Sequence, residues 1–398
     1  MSQKSNPKNL ITLRELFFEF LKIGVIGFGG GLAIIAIIQN YFVNQKKLIS
    51  PNEFITGTSL SQFIGAFAVN TTYYIGRKLN GIFGGIISVI SFLLPSFFAV
   101  IILTQIYKSH NEILNIKPVI EGIMPVIVAV LLLIALKFFV SSKSTPLITI
   151  ITCLLTIPFL IFFENHVLSI IIGGLIYTIL MQIHSKFSKN NLSFNTLIPL
   201  QGLLFPSATF SQTIIIWFTT PTLIKFSLVC LGIGLIFFGG GYSLAPIIQY
   251  IIVQKLKWIS NDAFIIGMII SQITPGPFAV IVTFLGYYLY GILGAIISTV
   301  LVFLPSLIIM ELLINFYDSY QRNPWIKNFV QGIGLVIGLM IIKLAVNYIG
   351  EFMWPITPFE LFIFTASLIL LTLGYSPAVP ILGTLIYLLI SNYLLSLF

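Results

Sequence analysis

The sequence predicts an all-α polytopic membrane protein made of two homologous repeats of about six membrane segments each, with helices broken by glycine and proline. Three observations carry that prediction. Hydrophobic residues fill 58% of 398 positions and charged residues only 8%, with a mean hydropathy of +1.06, which leaves too little charge to clothe a soluble chain of this length. The stretch from Gly24 to Ser96 recurs from Gly234 to Ser306, 210 positions later, and the register holds without a gap through Lys117/Lys327 and Gly122/Gly332 to Tyr177/Tyr387. Each copy also opens with Phe-Gly-Gly-Gly inside an apolar run, at Phe28 to Gly31 and Phe238 to Gly241. Three successive glycines cost a helix about 1 kcal/mol each relative to alanine, so a break is expected at each triplet.

The elements follow in order. Residues 16–43 form one apolar run interrupted by Gly27 and the triplet Gly29, Gly30 and Gly31. After a loop marked by Lys46, Lys47 and Pro51, residues 52–79 carry Ser59, Ser61, Gln62, Asn70, Thr71 and Thr72, too polar a set to face lipid. Arg77 and Lys78 close that segment, and cleaner spans follow at 82–107, 118–140, 146–163 and 167–183, each long enough to cross a bilayer. The first repeat is read as residues 1–184, a polar linker as 185–211 and the second repeat as 212–398, with 196–218 apolar enough for an added crossing or an interfacial helix. The second repeat then gives 224–253 broken at Gly239, Gly240 and Gly241, a polar segment 262–290, and spans at 292–317, 329–349, 360–373 and 379–398.

Charge places the N-terminus in the cytoplasm. If every segment of the first half crosses once, Lys4, Lys8, Arg14, Arg77, Lys78, Lys137, Lys143, Lys186 and Lys189 share one side, the side that basic loops prefer. Run in parallel, the second half would reverse that bias, which favours an inverted second half. If the glycine-broken segments are instead hairpins that dip in and return, Lys46 and Lys47 change sides and the count chooses neither arrangement. The net charge of +9 is scattered through short loops without a basic stripe, so no nucleic-acid partner is expected; the lipid bilayer is. The polar first ten residues show no signal peptide.

Several chemistries are excluded. Cys153 and Cys230 lie in apolar runs without paired spacing, and His110, His166 and His184 have no ligand-spaced neighbour, so neither a metal site nor a cofactor is expected. No Walker sequence, dinucleotide fingerprint, Ser-His-Asp set or spaced carboxylate pair is present, and the chain is not expected to be an enzyme or an ATP-driven pump.

The doubled order of Phe-Gly-Gly-Gly and, some thirty residues later, a polar helix-breaking motif resembles the chromate ion transporter family. The second half carries the stronger match, at Phe238 to Gly241, Pro246, Trp258, Phe264, Gln272, Pro275-Gly276-Pro277, Gly286, Gly291, Gly294 and Pro305-Ser306. The first half matches at Phe28 to Gly31, Phe54, Gln62, Gly76-Arg77, Gly81, Gly84 and Pro95-Ser96, so the resemblance covers nearly the whole chain as a two-domain member. It implies a multi-pass plasma-membrane protein that moves chromate, or a tetrahedral oxyanion such as sulfate. Where the pattern has Pro-Gly-Pro the first half has Gly65-Ala66-Phe67, and a rigid helix break is expected to be lost there.

Physical chemistry points to an anion site beside that resemblance. A dianion in a low-dielectric membrane needs groups that replace its hydration, and a broken helix supplies free N–H groups at the positive end of its dipole. The candidate substrate-binding residues are therefore Gly29, Gly30, Gly31, Gln62, Arg77, Lys78, Gly239, Gly240, Gly241, Gln272, Pro275, Gly276 and Pro277. Glycine permits close backbone approach, and Pro275 and Pro277 interrupt the hydrogen-bond ladder. Gln62 and Gln272 read equally as interhelical glue or as amide donors to an oxyanion. Arg77 and Lys78 read as a cytoplasmic anchoring pair or as an electropositive mouth that the second half, with Tyr287 and Tyr288, lacks. Gly81, Gly84 and Gly85, with Gly291 and Gly294, read first as close helix packing. Efflux driven by membrane potential or ion coupling is the leading function; a carrier for another anion or small solute and a non-transport membrane scaffold are the alternatives. Whether the chain works alone or as a homodimer is left open by the sequence.

Overall fold

The computed structural model describes residues 11–28, 30–110, 117–141, 146–162, 166–188, 222–236, 241–314 and 324–395. Residues 189–211 of the expected linker, the apolar stretch 196–218, and Gly29, Gly239 and Gly240 lie outside the described residues, while 185–188 belong to the last helix of the first half. The described regular structure is all helix. It runs α1 Leu13–Ile26, α2 Gly31–Gln39, α3 Pro51–Ile64, α4 Phe67–His110, α5 Lys117–Ser141, α6 Pro146–Phe162 and α7 His166–Ser188. The second half continues with α8 Leu223–Leu235, α9 Leu244–Ile248, α10 Asn261–Ile273, α11 Ile281–Ile314, α12 Pro324–Phe352, α13 Pro358–Thr372 and α14 Ala378–Leu395.

Both α4 and α11 are broken. Asn80 (φ −136°, ψ 28°) and Gly81 (φ 70°, ψ −165°) interrupt α4, and Tyr290 and Gly291 interrupt α11 with nearly the same angles. Each is therefore two arms, 67–79 and 82–110 in α4 and 281–289 and 292–314 in α11. A Cβ on Gly76 would strike the carbonyl of Gly84, and one on Gly85 would meet the Tyr73 ring, so the two arms of α4 fold back on each other. Gly286 and Gly294 make the same approach in α11, where the Thr283 and Thr299 hydroxyls share a hydrogen bond of 2.7 Å. The packing role expected from sequence is filled by Gly84, Gly85 and Gly294, whereas Gly81 and Gly291, with open space where a Cβ would go and φ of 70° and 62°, make the turns instead.

The glycine-broken segments are hairpins as well. The Phe20 and Phe42 rings stack at 4.9 Å; with α1 and α2 in line those residues would stand about 33 Å apart at 1.5 Å per residue. The chain therefore turns back between α1 and α2 and continues through α2 into a π-helical segment, Asn40–Gln45. Gly57 faces the Tyr74 ring, so α3 and the first arm of α4 turn about Gly65 and Ala66. In the second half Phe226 meets Trp258 at 6.1 Å and Gly267 faces Phe284, which fold 223–255 and 261–289 the same way. Two pairs of hairpins thus replace four simple crossings. The segment count expected from hydropathy changes accordingly: among the described residues five helices are long and apolar enough to cross a membrane, and the remaining apolar helices are shorter.

Local sequence explains where each arm begins. The outer starts of α1 and α3 carry capping boxes, Thr12 with Glu15 and Ser50 with Glu53, and Thr222 and Ser260 cap α8 and α10, each contributing about 1 kcal/mol. The Thr12 N–H bonded to the Glu15 carboxylate lowers that group's pKa below the usual range. The second arm of α4 then sorts its faces inside out. Ile86, Ile90, Phe98, Ile102 and Ile106 are exposed along one stripe that lipid would cover, while Ser88, Ser91, Ser96 and Thr104 are fully buried.

Candidate anion site at the hairpin tips

The four hairpins meet tip to tip. The Gly276 N–H donates to the Gly27 carbonyl at 2.8 Å, joining the first hairpin of one half to the second hairpin of the other. A Cβ on Gly31 would lie 3.4 Å from the Phe67 ring, one on Gly30 3.5 Å from Tyr242, and one on Gly241 3.2 Å from the Ala279 nitrogen. The Tyr242 and Phe278 rings stack at 4.5 Å across the second pair of tips. The long arms wall this cluster: Gly24 packs on Phe92 and Pro95, Gly234 on Val302, and Gly276 on Ser96.

Direction matters more than proximity. The inward arm of every hairpin starts at its capped outer end and finishes at the tip, so the returning arm begins at the tip with its N-terminus there. Returning arms begin at Gly31, Phe67, Gly241 and Phe278. The residues before three of them, Gly30, Ala66 and Pro277, have no side-chain acceptor, in contrast to the threonine and serine caps at the outer ends. Uncapped first-turn N–H groups and positive helix ends therefore converge at one depth, an arrangement suited to an anion.

The backbone at the tips is held in conformations that glycine favours. Gly30 has φ 82° and Gly276 φ 108°. The first half also breaks: α3 ends at Ile64 and Gly65 takes φ 123°, so the helix break expected to be lost with Pro-Gly-Pro is made by glycine alone.

The structure distributes the sequence candidates unevenly. Gly30, Gly31, Gly241, Pro275, Gly276 and Pro277 come together at the tips. Gln272 is buried one turn before the Pro275 break, with its Oε1 unpartnered, whereas Gln62 is exposed on α3. Arg77 and Lys78 stand near the outer end of the first arm of α4, away from the tips. The Arg77 Nε donates to both oxygens of Glu311 at 3.1 and 3.0 Å, the Tyr73 hydroxyl donates to the same carboxylate at 2.8 Å, and Lys78 sits 5.8 Å from the Tyr74 ring centre. Of the other acids near the apolar segments of the first half, Glu53 caps α3, Glu19 pairs with Lys22 at 3.6 Å and Glu121 with Lys117 at 4.0 Å.

Sequence reasoning left Gly27, Tyr242 and Ser96 out of the candidate site, because their contacts at the tips are with residues far away in the chain. It also did not anticipate the partner of Arg77, which is 234 positions away. A surface cavity of about 630 Å³ lies elsewhere, between Gln249, Gln254, Lys257, Trp258, Asn261 and Tyr288 at the outer end of the third hairpin. Among the described residues no group of three His, Cys, Asp or Glu side chains is placed to hold a metal.

Fold and site together define a multi-pass helical membrane protein whose interior is built from interrupted helices. Both halves match the chromate transporter family separately, over residues 14–179 and 224–390, and the chain belongs to that family. It is 29% identical to an uncharacterised transporter of Methanocaldococcus jannaschii over 97% of this chain and 95% of that one. A probable chromate transport protein of Synechococcus elongatus is 24% identical, covering 83% and 84% of the two chains, and a chromate transport protein of Cupriavidus metallidurans is 24% identical over 83% and 82%. No solved structure matches the chain.

Proposed function

We propose that this protein carries chromate, or a tetrahedral oxyanion such as sulfate, outward across the plasma membrane. The observation that carries the reading is the meeting of helix starts at the four tips, three of them without a side-chain cap, in a chain whose family and relatives are named for chromate transport. Backbone N–H groups at Gly31, at the start of α4 and beyond Pro277 replace water around the anion without burying a cation. Gly276 allows the close approach, and Gln272 adds an amide. For a dianion leaving an inside-negative cell the field supplies about 4.6 kcal/mol per 100 mV, so efflux needs no other energy source.

The two repeats, 1–184 and 212–398 joined by 185–211, are taken to be inverted. Supporting this, the outer end of the first arm of α4, at Arg77, meets Glu311 near the far end of α11, while Tyr287 at the outer end of the first arm of α11 donates to Gln105 near the far end of α4 at 2.9 Å. Contacts of that kind are what two halves with their outer ends on opposite faces would make. Arg14, Lys46, Lys47, Arg77, Lys78 and Lys137 then share one face, which is assigned to the cytoplasm. Arg77 and Lys78 rim the inner entrance there, Arg77 with its charge matched by Glu311.

The deciding experiment is reconstitution in liposomes with labelled chromate and labelled sulfate at imposed potentials of either sign. Saturable flux that follows the potential as an anion must is the expected result. Flux of neither anion at either polarity would refute the assignment.

A further inference from the structure

Three consecutive side chains on the first arm of α4 depart from what most buried polar side chains among the described residues do. Most buried helical hydroxyls here bond back to a carbonyl three or four residues earlier, as Ser61 does to Gly57, Thr104 to Val100, Thr152 to Ile148, Thr178 to Gly174 and Ser271 to Gly267, with Ser88 a single isolated exception on the second arm. Thr71 and Thr72 do not. Both are fully buried and both hydroxyls are unpartnered, and so is the Nδ2 of Asn70 beside them. The Asn70 Oδ1 accepts from the Ser306 hydroxyl at 3.2 Å, while Ser306 also donates to the Phe303 carbonyl at 2.9 Å. Rotating the amide would pair one N–H with Ser306 and still leave the other free, since the group has two. A buried polar atom without a partner is destabilising, and three in sequence require a reason.

The other half supplies the comparison. At the positions 210 later the chain has Val280, Ile281 and Val282, all buried in the equivalent arm. The fold therefore accepts three apolar residues at this turn, and packing alone does not require Asn-Thr-Thr. The polar set starts at the fourth residue of a helix whose N-terminus is at the tips, and the amide reaches Ser306, the counterpart of the Ser96 that touches Gly276.

We infer that Asn70, Thr71 and Thr72 are the side-chain donors to the transported oxyanion, and that the first half alone supplies them. The inference rests on the oxyanion reading above and names a specificity set within that site. The second half contributes the rigid Pro275-Gly276-Pro277 tip, and its Val280, Ile281 and Val282 leave its side of the anion to backbone N–H groups. Three neutral donors of N–H and O–H type suit a fully deprotonated tetrahedral anion, which offers only acceptors.

The test exchanges one half for the other. Asn70→Val, Thr71→Ile and Thr72→Val are made singly and together, with flux of labelled chromate and sulfate and thermal stabilisation of the detergent-purified protein by sodium chromate, against sodium chloride, as readouts. Removing unpartnered groups should leave the melting temperature of the ligand-free protein unchanged or higher. Asn70→Val should raise the apparent KM about tenfold or more, each threonine change several-fold, and the triple variant should lose both saturable flux and chromate stabilisation. Should the triple variant not fold, Thr72→Val and Asn70→Asp, which keeps an acceptor toward Ser306 and loses the N–H, decide the matter by the same readouts. A folded variant with wild-type KM and wild-type stabilisation overturns the inference, as does a fall in melting temperature with flux per folded molecule unchanged. Wild-type protein stabilised by chromate but moving neither anion would overturn the transport reading and leave the donor set to be decided by binding. Wild-type protein neither stabilised by chromate nor moving it would overturn both.

Discussion

Gly276 has two reasons to be glycine, and they are separable. Its φ of 108° strains any side chain, and a Cβ would come within 2.8 Å of the Ser96 hydroxyl oxygen and 2.9 Å of its Cβ. Gly276→Ala should lower flux more than tenfold while the protein still inserts. Adding Ser96→Gly relieves the crowding and leaves the backbone strain, so recovery should be partial. Full recovery would assign the whole effect to crowding, and no recovery would assign it to the backbone. Arg77 is judged by its partner. At side-chain exposures of 31% and 27% the Arg77 and Glu311 pair contributes roughly 1 kcal/mol to stability, but losing the guanidinium leaves a carboxylate near the anion's entrance. Arg77→Gln should therefore raise the apparent KM several-fold, and Glu311→Gln in the same chain should restore most of it. A double variant as impaired as the single would mean that the guanidinium meets the anion itself.

At the scale of an element, the turn in α4 shows two kinds of glycine a few residues apart. Gly81 holds φ 70° with open space where a Cβ would go, whereas Gly76 has ordinary helical angles and the Gly84 carbonyl against it. Gly81→Ala meets only backbone strain, about 1–2 kcal/mol. Gly76→Ala must push two backbones apart, so the hairpin cannot close. Thermal melts of the purified proteins should show a drop of a few degrees for Gly81→Ala and a much larger drop, or loss of folded protein, for Gly76→Ala. Equal drops would contradict the fold-back at Asn80. Asn80 itself secures the turn, its Nδ2 donating to the Ile11 carbonyl at 2.9 Å.

The whole molecule is tied across its halves by different chemistry at its two faces. One face has the charged Arg77, Tyr73 and Glu311 cluster; the other has Tyr287 on Gln105, Lys108 donating to the Tyr288 carbonyl at 3.0 Å, and the Tyr107 ring 6.1 Å from that of Tyr288. If the repeats are inverted, single cysteines at Lys47 and Lys257, placed in a chain with Cys153 and Cys230 replaced by alanine, should react with impermeant maleimide from opposite sides. Lys47→Cys should label only in inverted vesicles and Lys257→Cys only in right-side-out cells. Labelling of both from one side would return the halves to a parallel arrangement.

The membrane class, the duplication and the breaks at the glycine triplet and Pro275 were determined by the sequence itself, because hydropathy, repeat register and backbone freedom are local properties. Gly65 shows where that locality misleads: the missing prolines suggested that a rigid break was lost, yet one glycine with positive φ ends the helix there. Whether each break is a kink in a crossing or the tip of a hairpin was decided only in three dimensions. A run of polar and apolar residues has the same composition either way, and only pairs such as Phe20 with Phe42 or Gly57 with Tyr74 distinguish them. The same holds for Arg77, legible as a cation but not as the partner of Glu311. Asn70, Thr71 and Thr72 lie between these cases. Their contrast with Val280, Ile281 and Val282 is written in the sequence, but their unpartnered donors exist only because tertiary packing removes the water that would otherwise satisfy them.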